Sequence, residues 1–155
     1  MLANWIHIVL VHLPVLATPY LAYLAIRNLR SIHNLGQEMD SQPWKVTYTG
    51  IIALTILTSI AYFTGPEAAD WTKNVLEDYP QDHIENHALW GRIAFVVQVL
   101  IGLLGIMCWA SILQEEKPNA KIGVVMAILL VLNTLVIIYT AHLGGMIRRM
   151  DLIGI

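Results

Sequence analysis

Imidazole is the side chain in this sequence with the widest chemistry, since it ligates metals, moves protons and changes charge near neutral pH. The chain has six histidines. His7 and His12 stand near its start, His83 and His87 lie together beyond its middle, His142 comes near its end and His33 stands apart. Around them are the carboxylates Glu67, Asp70 and Glu85. No HExxH or paired ExxH motif is present. The single cysteine, Cys108, excludes an internal disulfide, a CxxC site and a haem attached through CxxCH. Any cofactor must therefore be held without a covalent bond. The chemistry open to this set is ligation of haem iron by paired imidazoles, a non-haem metal held by imidazole and carboxylate, or no cofactor at all.

The elements that position these residues follow from composition. With 57% hydrophobic and 13% charged residues over 155 positions, the chain is too apolar for a soluble domain and too short for two membrane domains. The net charge of −2 and the lack of a Lys/Arg-rich run exclude nucleic acid and a polybasic lipid anchor as partners. Apolar runs at about 5–26, 46–63, 88–113 and 122–147 approach or exceed the ~20 residues that a ~30 Å hydrocarbon core requires. The first lacks the leading positive region and cleavage site of a signal peptide and reads as a retained span. Backbone groups in lipid need internal partners, so the runs must be helices. The expected fold is all-α, one integral membrane four-helix bundle in up-down-up-down order, in contact with membrane lipid.

Pro14 and Pro19 predict a kink in the first span, because each removes an intrahelical hydrogen bond. Asp82 and Glu85 have capping-box spacing, which predicts a third helix starting near His83. Residues 64–87 read as a loop with a short surface helix around Glu67–Leu76, and Trp71 and Tyr79 suggest that it covers the end of the bundle. Arg27, Arg30, Lys45, Lys117 and Lys121 outnumber Lys73, Arg148 and Arg149 on the other side. That bias predicts a multi-pass protein with both termini outside the cytoplasm, although Arg92 nearly erases the difference if counted.

An antiparallel bundle gathers His7, His12, His83, His87 and His142 at one face. By a rise of ~1.5 Å per residue, His12 lies ~10 Å into its helix, His87 ~6 Å into its own and His142 ~8 Å from the end of the last. Polar groups at such depth face the bundle interior and mark cofactors or relays. The expectation is a b-type haem ligated by His12 with His87 or His142. His7 points ~140° from His12 on an unbroken helix, so it would serve a second cofactor or the surface. Gly91 and the stripe Thr58, Ala61, Gly65 leave room for a flat macrocycle, or for close helix packing. Arg92, Arg148 and Arg149 are candidates for the propionates, and equally ordinary interfacial anchors. The alternative non-haem site would draw on His83 and Glu67 with the nearby acids. For each histidine singly, a hydrogen bond to a neighbouring backbone carbonyl is an equally good account.

His7-x4-His12-x-Pro14, Thr64-Gly65, His87 and Leu143-Gly144-Gly145, in this order across nearly the whole chain, resemble the bacterial membrane-domain family catalogued as domain of unknown function 2231. The resemblance implies four transmembrane helices and, because some relatives are fused to cytochrome c-like modules, electron transfer. It carries over to His7, His12, His87 and His142, while His83 falls outside it. No soluble module follows in this chain, so the electron partner is expected in a larger membrane redox complex or a separate cytochrome. The competing expectation is a haem-free accessory subunit of a membrane complex. A membrane metal-dependent hydrolase would need an open metal position that the sequence does not display.

Overall fold

The computed structural model describes residues 2–30, 40–75 and 80–148. It is all-α. Helices α1 (Leu2–Leu10) and α2 (His12–Leu29) form the first span, and α3 (Ser41–Val75), α4 (Gln81–Leu113) and α5 (Ala120–Arg148) form the other three. Each span contains a stretch long and apolar enough to cross a bilayer, which makes the chain a multi-pass membrane protein. Neighbours in the chain pack side by side, α2 also packs on α5, and the two diagonal pairs make no close backbone approach among the described residues. The result is a closed ring of antiparallel helices.

The kink expected in the first span lies at Val11, between α1 and α2. Val11 still donates its N–H to the His7 carbonyl at 3.0 Å. Pro14 has no N–H to give the Leu10 carbonyl, so the ladder is interrupted three residues later. Pro19 is accommodated inside α2. The break has a consequence for packing. α2 contacts both α3 and α5, whereas α1 contacts α3 and makes no backbone approach to α4 or α5. At the end where the chain starts, the ring is open between α1 and α5.

Two boundaries differ from the sequence reading. Residues 64–75 are not a loop but the continuation of α3, which absorbs Pro66 and runs to Val75. Apolarity reports where a helix meets lipid, and it does not report where the helix stops. Beyond Phe63 the surface becomes polar while the backbone ladder continues, with Thr72 Oγ1 donating to the Ala68 carbonyl at 2.9 Å. The fourth helix in chain order, α4, starts at Gln81 with Pro80 as its N-cap and no side-chain cap. Asp82 therefore sits inside the first turn, where its charge complements the helix dipole, and Glu85 accepts from Gln81 Nε2 at 2.7 Å.

The interior is divided. Its largest fully buried apolar side chains, Trp44, Tyr48, Ile51, Ile101, Met126 and Leu130, belong to the half near the α2–α3 and α4–α5 connections. Helices come close there because glycines face bulky partners: Gly123 lies under the Trp44 ring, Gly105 against Ile51 and Gly102 against Thr55. The opposite half, toward the histidines, buries Ile84, Ile137 and Leu143 together with the small residues Ala61 and Ala94.

Candidate functional site

The rotation of each span about its own axis decides which histidines enter the bundle. On the first span the buried residues are Pro14, Thr18, Leu21, Ala22, Leu24, Ala25 and Asn28. At ~100° per residue, Pro14, Thr18 and Ala25 fall within ~20° of His7. His7 accordingly turns inward and is half-buried. Its Nδ1 lies 2.8 Å from the Ala61 carbonyl and 3.4 Å from Thr64 Oγ1, both on α3. Gly65 completes this seat: a Cβ there would stand 3.5 Å from His7 Cε1, in ordinary contact.

On α4 the buried Ala94, Gln98, Ile101 and Gly105 continue the face of His87. His87 is half-buried, and its Nδ1 lies 3.0 Å from the Thr140 carbonyl of α5. Its ring rests against Gly144, where a Cβ would come within 3.0 Å of Cε1. Gly91, also on this face, approaches the Thr140 side chain. Thus one histidine bridges α1 to α3 and the other bridges α4 to α5.

These contacts determine the tautomers. A carbonyl oxygen only accepts, so in both rings the proton must be on Nδ1, and a neutral imidazole then carries its lone pair on Nε2. This is the state in which histidine binds a metal, and a carbonyl holding the other nitrogen is the usual orienting partner. The arrangement supplies two oriented nitrogen donors from diagonally opposed spans, beside the open side of the ring.

The structure reverses the roles that depth suggested for the histidines of the first span. His12 is exposed and bonds within its own span, across the break, with Nδ1 2.7 Å from the Ile8 carbonyl of α1. It shares its face with Leu16 and Tyr23, which are 71% and 54% exposed and turn toward lipid. His142 is exposed as well, on the face of Leu135 and Ile138. The ~140° between His7 and His12 is what the sequence reading anticipated, but the small-residue face of α2 selects His7 as the inward one. That face was the available signal, and depth alone could not reveal it.

Arg92 is exposed on α4, and Arg148 closes α5 with its side chain outside the described residues. Arg149, Tyr79 and His33 also lie outside them. His83 is half-buried near the start of α4, and Glu67 is exposed on the extension of α3. Among the described residues no three His, Cys, Asp or Glu side chains gather closely enough to hold a metal ion, so the alternative site drawn from His83 and Glu67 is not assembled. Trp71, expected as part of a lid, is 38% exposed on the helix that α1 packs against. Compared with known proteins, the chain matches no family model, no curated protein and no solved structure.

Proposed function

We propose that this chain is a small membrane electron-transfer subunit that holds a b-type haem between His7 and His87. The observation that carries the reading is the pairing of two inward imidazoles on opposed spans, each with Nδ1 on a backbone carbonyl and Nε2 left as the donor. A bis-imidazole haem supplies one-electron transfer rather than oxygen binding, because both axial positions are filled. The residues fit such a group in two further respects. Gly65 and Gly144 let both rings lie against helix backbone, and the gap between α1 and α5 gives a flat ligand a way in.

With so little chain outside the spans, the subunit would exchange electrons with a larger redox complex or a cytochrome. The resemblance to the domain of unknown function 2231 agrees with that placing. The same resemblance suggests a bacterial inner membrane, and the Lys/Arg bias favours both termini outside the cytoplasm. The test is the visible spectrum and pyridine haemochrome of the detergent-purified protein. A low-spin b-type spectrum at about one haem per chain is expected.

A second reading has its own observation. Both rings already clamp one helix to the next, as a haem-free accessory subunit would require. A blank haemochrome and blank metal analysis on folded protein would select that reading.

A further inference from the structure

A band of polar side chains crosses the interior between the two halves of the bundle. Asn133 Nδ2 donates to Gln98 Oε1 at 3.0 Å, and Gln98 Nε2 donates to Thr55 Oγ1 at 3.0 Å, linking α5, α4 and α3. The first span brings Thr18 to the interior. Gln98, Asn133 and Thr18 are fully buried, and Thr58 is 8% exposed. Amides and hydroxyls at such depth are tolerated when every polar atom has a partner. Here three do not: Asn133 Oδ1, Thr18 Oγ1 and Thr58 Oγ1 are all buried without one.

Their positions form a series. Measured along the helices at ~1.5 Å per residue, Thr18 lies ~16 Å below His7 and Gln98 ~16 Å below His87. Thr58 and Asn133 lie ~10 Å below Gly65 and Thr140, the residues beside the two rings. On α3, Thr55, Thr58, Ala61 and Thr64 recur every three residues, each step a rise of ~4.5 Å and a turn of ~60°, so the row winds from the α4 side of the helix to its α1 side. Thr55 is tied to Gln98, Thr58 has no partner, the Ala61 carbonyl accepts from His7, and Thr64 Oγ1 touches His7. A single water spans about 4.5–5.5 Å between two polar groups, which matches that step. A buried water typically satisfies about three otherwise orphaned groups. The layer next to Gln98 on its far side is Ile51, Ile101 and Leu130, which offers water nothing, and the unpartnered Tyr48 hydroxyl belongs to a residue ~10 Å further along α3.

We infer that the bundle holds a short file of water along the inner face of α3, bound by the Thr58 and Thr18 hydroxyls and Asn133 Oδ1, running from the histidine pair to Gln98 and ending there. The file hydrates one half of the membrane thickness and stops at the apolar half. The inference stands on the orphaned atoms and is independent of what binds the histidines.

The test uses the whole protein in lipid vesicles, with the Asn133 and Gln98 side-chain amides followed by water-edited solid-state NMR. Both amides should receive magnetisation from water and exchange their protons within hours of transfer to heavy water. Thr58→Val and Thr18→Val keep the side-chain shape and remove the hydroxyl. Each should slow that exchange about tenfold or more and lower the unfolding temperature, because the water loses a partner. A dry band behaves oppositely, since valine would relieve an unpaired buried hydroxyl and raise the unfolding temperature. Amides that stay protonated for days in wild-type protein, or exchange that Thr58→Val leaves unchanged, would overturn the inference.

Discussion

His87 lies against Gly144 so closely that a methyl group on Gly144 would fall 3.0 Å from His87 Cε1 and 3.3 Å from its Nδ1. The ring cannot retreat freely, because the same Nδ1 is bonded to the Thr140 carbonyl at 3.0 Å. Gly144→Ala should therefore displace the ring and lengthen that bond. The loss of a hydrogen bond, about 1 kcal/mol, nearly balances the helix propensity that alanine gains. Stability is thus a poor reporter, and the His87 ring nitrogens are a good one. Their NMR shifts should move in Gly144→Ala, and unchanged shifts would show that the seat is looser than the contact implies.

Gly102 and Gly145 separate packing from propensity. A Cβ on Gly102 would stand 2.5 Å from Thr55 Oγ1 and 2.9 Å from Thr55 Cβ, the stiff part of a branched side chain that also holds Gln98. Gly145 has nothing within 4 Å. Overpacking costs about 1–3 kcal/mol, against up to ~1 kcal/mol returned by replacing a helical glycine. Gly102→Ala should lower stability to denaturation in mixed micelles, while Gly145→Ala should leave it level or raise it. Equal behaviour of the two would contradict the close α3–α4 crossing.

The spans were legible in the sequence because the bilayer imposes a length, and a run such as 122–147 satisfies it without reference to any neighbour. The break near Pro14 was legible for an equally local reason, a missing N–H. The extension of α3 through Pro66 was not, since hydropathy ends at Phe63 while hydrogen bonding continues. The inward histidine was obscured differently. His7 and His12 lie on opposite faces of a helix whose residues are apolar nearly all round, so hydropathy does not specify its rotation. Thr18, Ala22, Ala25 and Asn28 do, because small and polar residues collect where helices meet. Asn133 and Gln98 were unreadable as partners, because their meeting depends on how α4 and α5 rotate toward each other.

Topology follows from the ring and can be checked on exposed positions. Asp40 and Glu115 stand at the end with the α2–α3 and α4–α5 connections, and Val75 and Gln81 at the histidine end. Cysteines placed singly at these four positions, with the buried Cys108 replaced by serine, should label as two pairs from opposite sides of sealed vesicles. Labelling of Val75→Cys together with Asp40→Cys from one side would break the antiparallel order on which the histidine pair depends.

The histidines provide the sharpest comparison, because four of them are candidates and geometry divides them two against two. His7 and His87 face the interior with Nδ1 on the Ala61 and Thr140 carbonyls, while His12 and His142 are exposed. His12 bonds the Ile8 carbonyl of α1, in its own span, through Nδ1. For a haem between the spans, removing either inward imidazole removes an axial ligand, whereas removing either outward one leaves both in place. His7→Ala and His87→Ala should each abolish the low-spin spectrum or convert it to high spin. His12→Ala and His142→Ala should keep it within the variation of the preparation. Loss of His7 or His87 also unclamps two helices at a cost of about 1–2 kcal/mol, so the comparison is made at matched folded protein, judged by helical content. Restoration of the His7→Gly or His87→Gly spectrum by added imidazole would assign the loss to ligation rather than to folding. A spectrum that instead depends on His12 or His142 would mean that the first or last span is rotated by about half a turn from the arrangement described, with Leu16 and Leu135 inside the bundle.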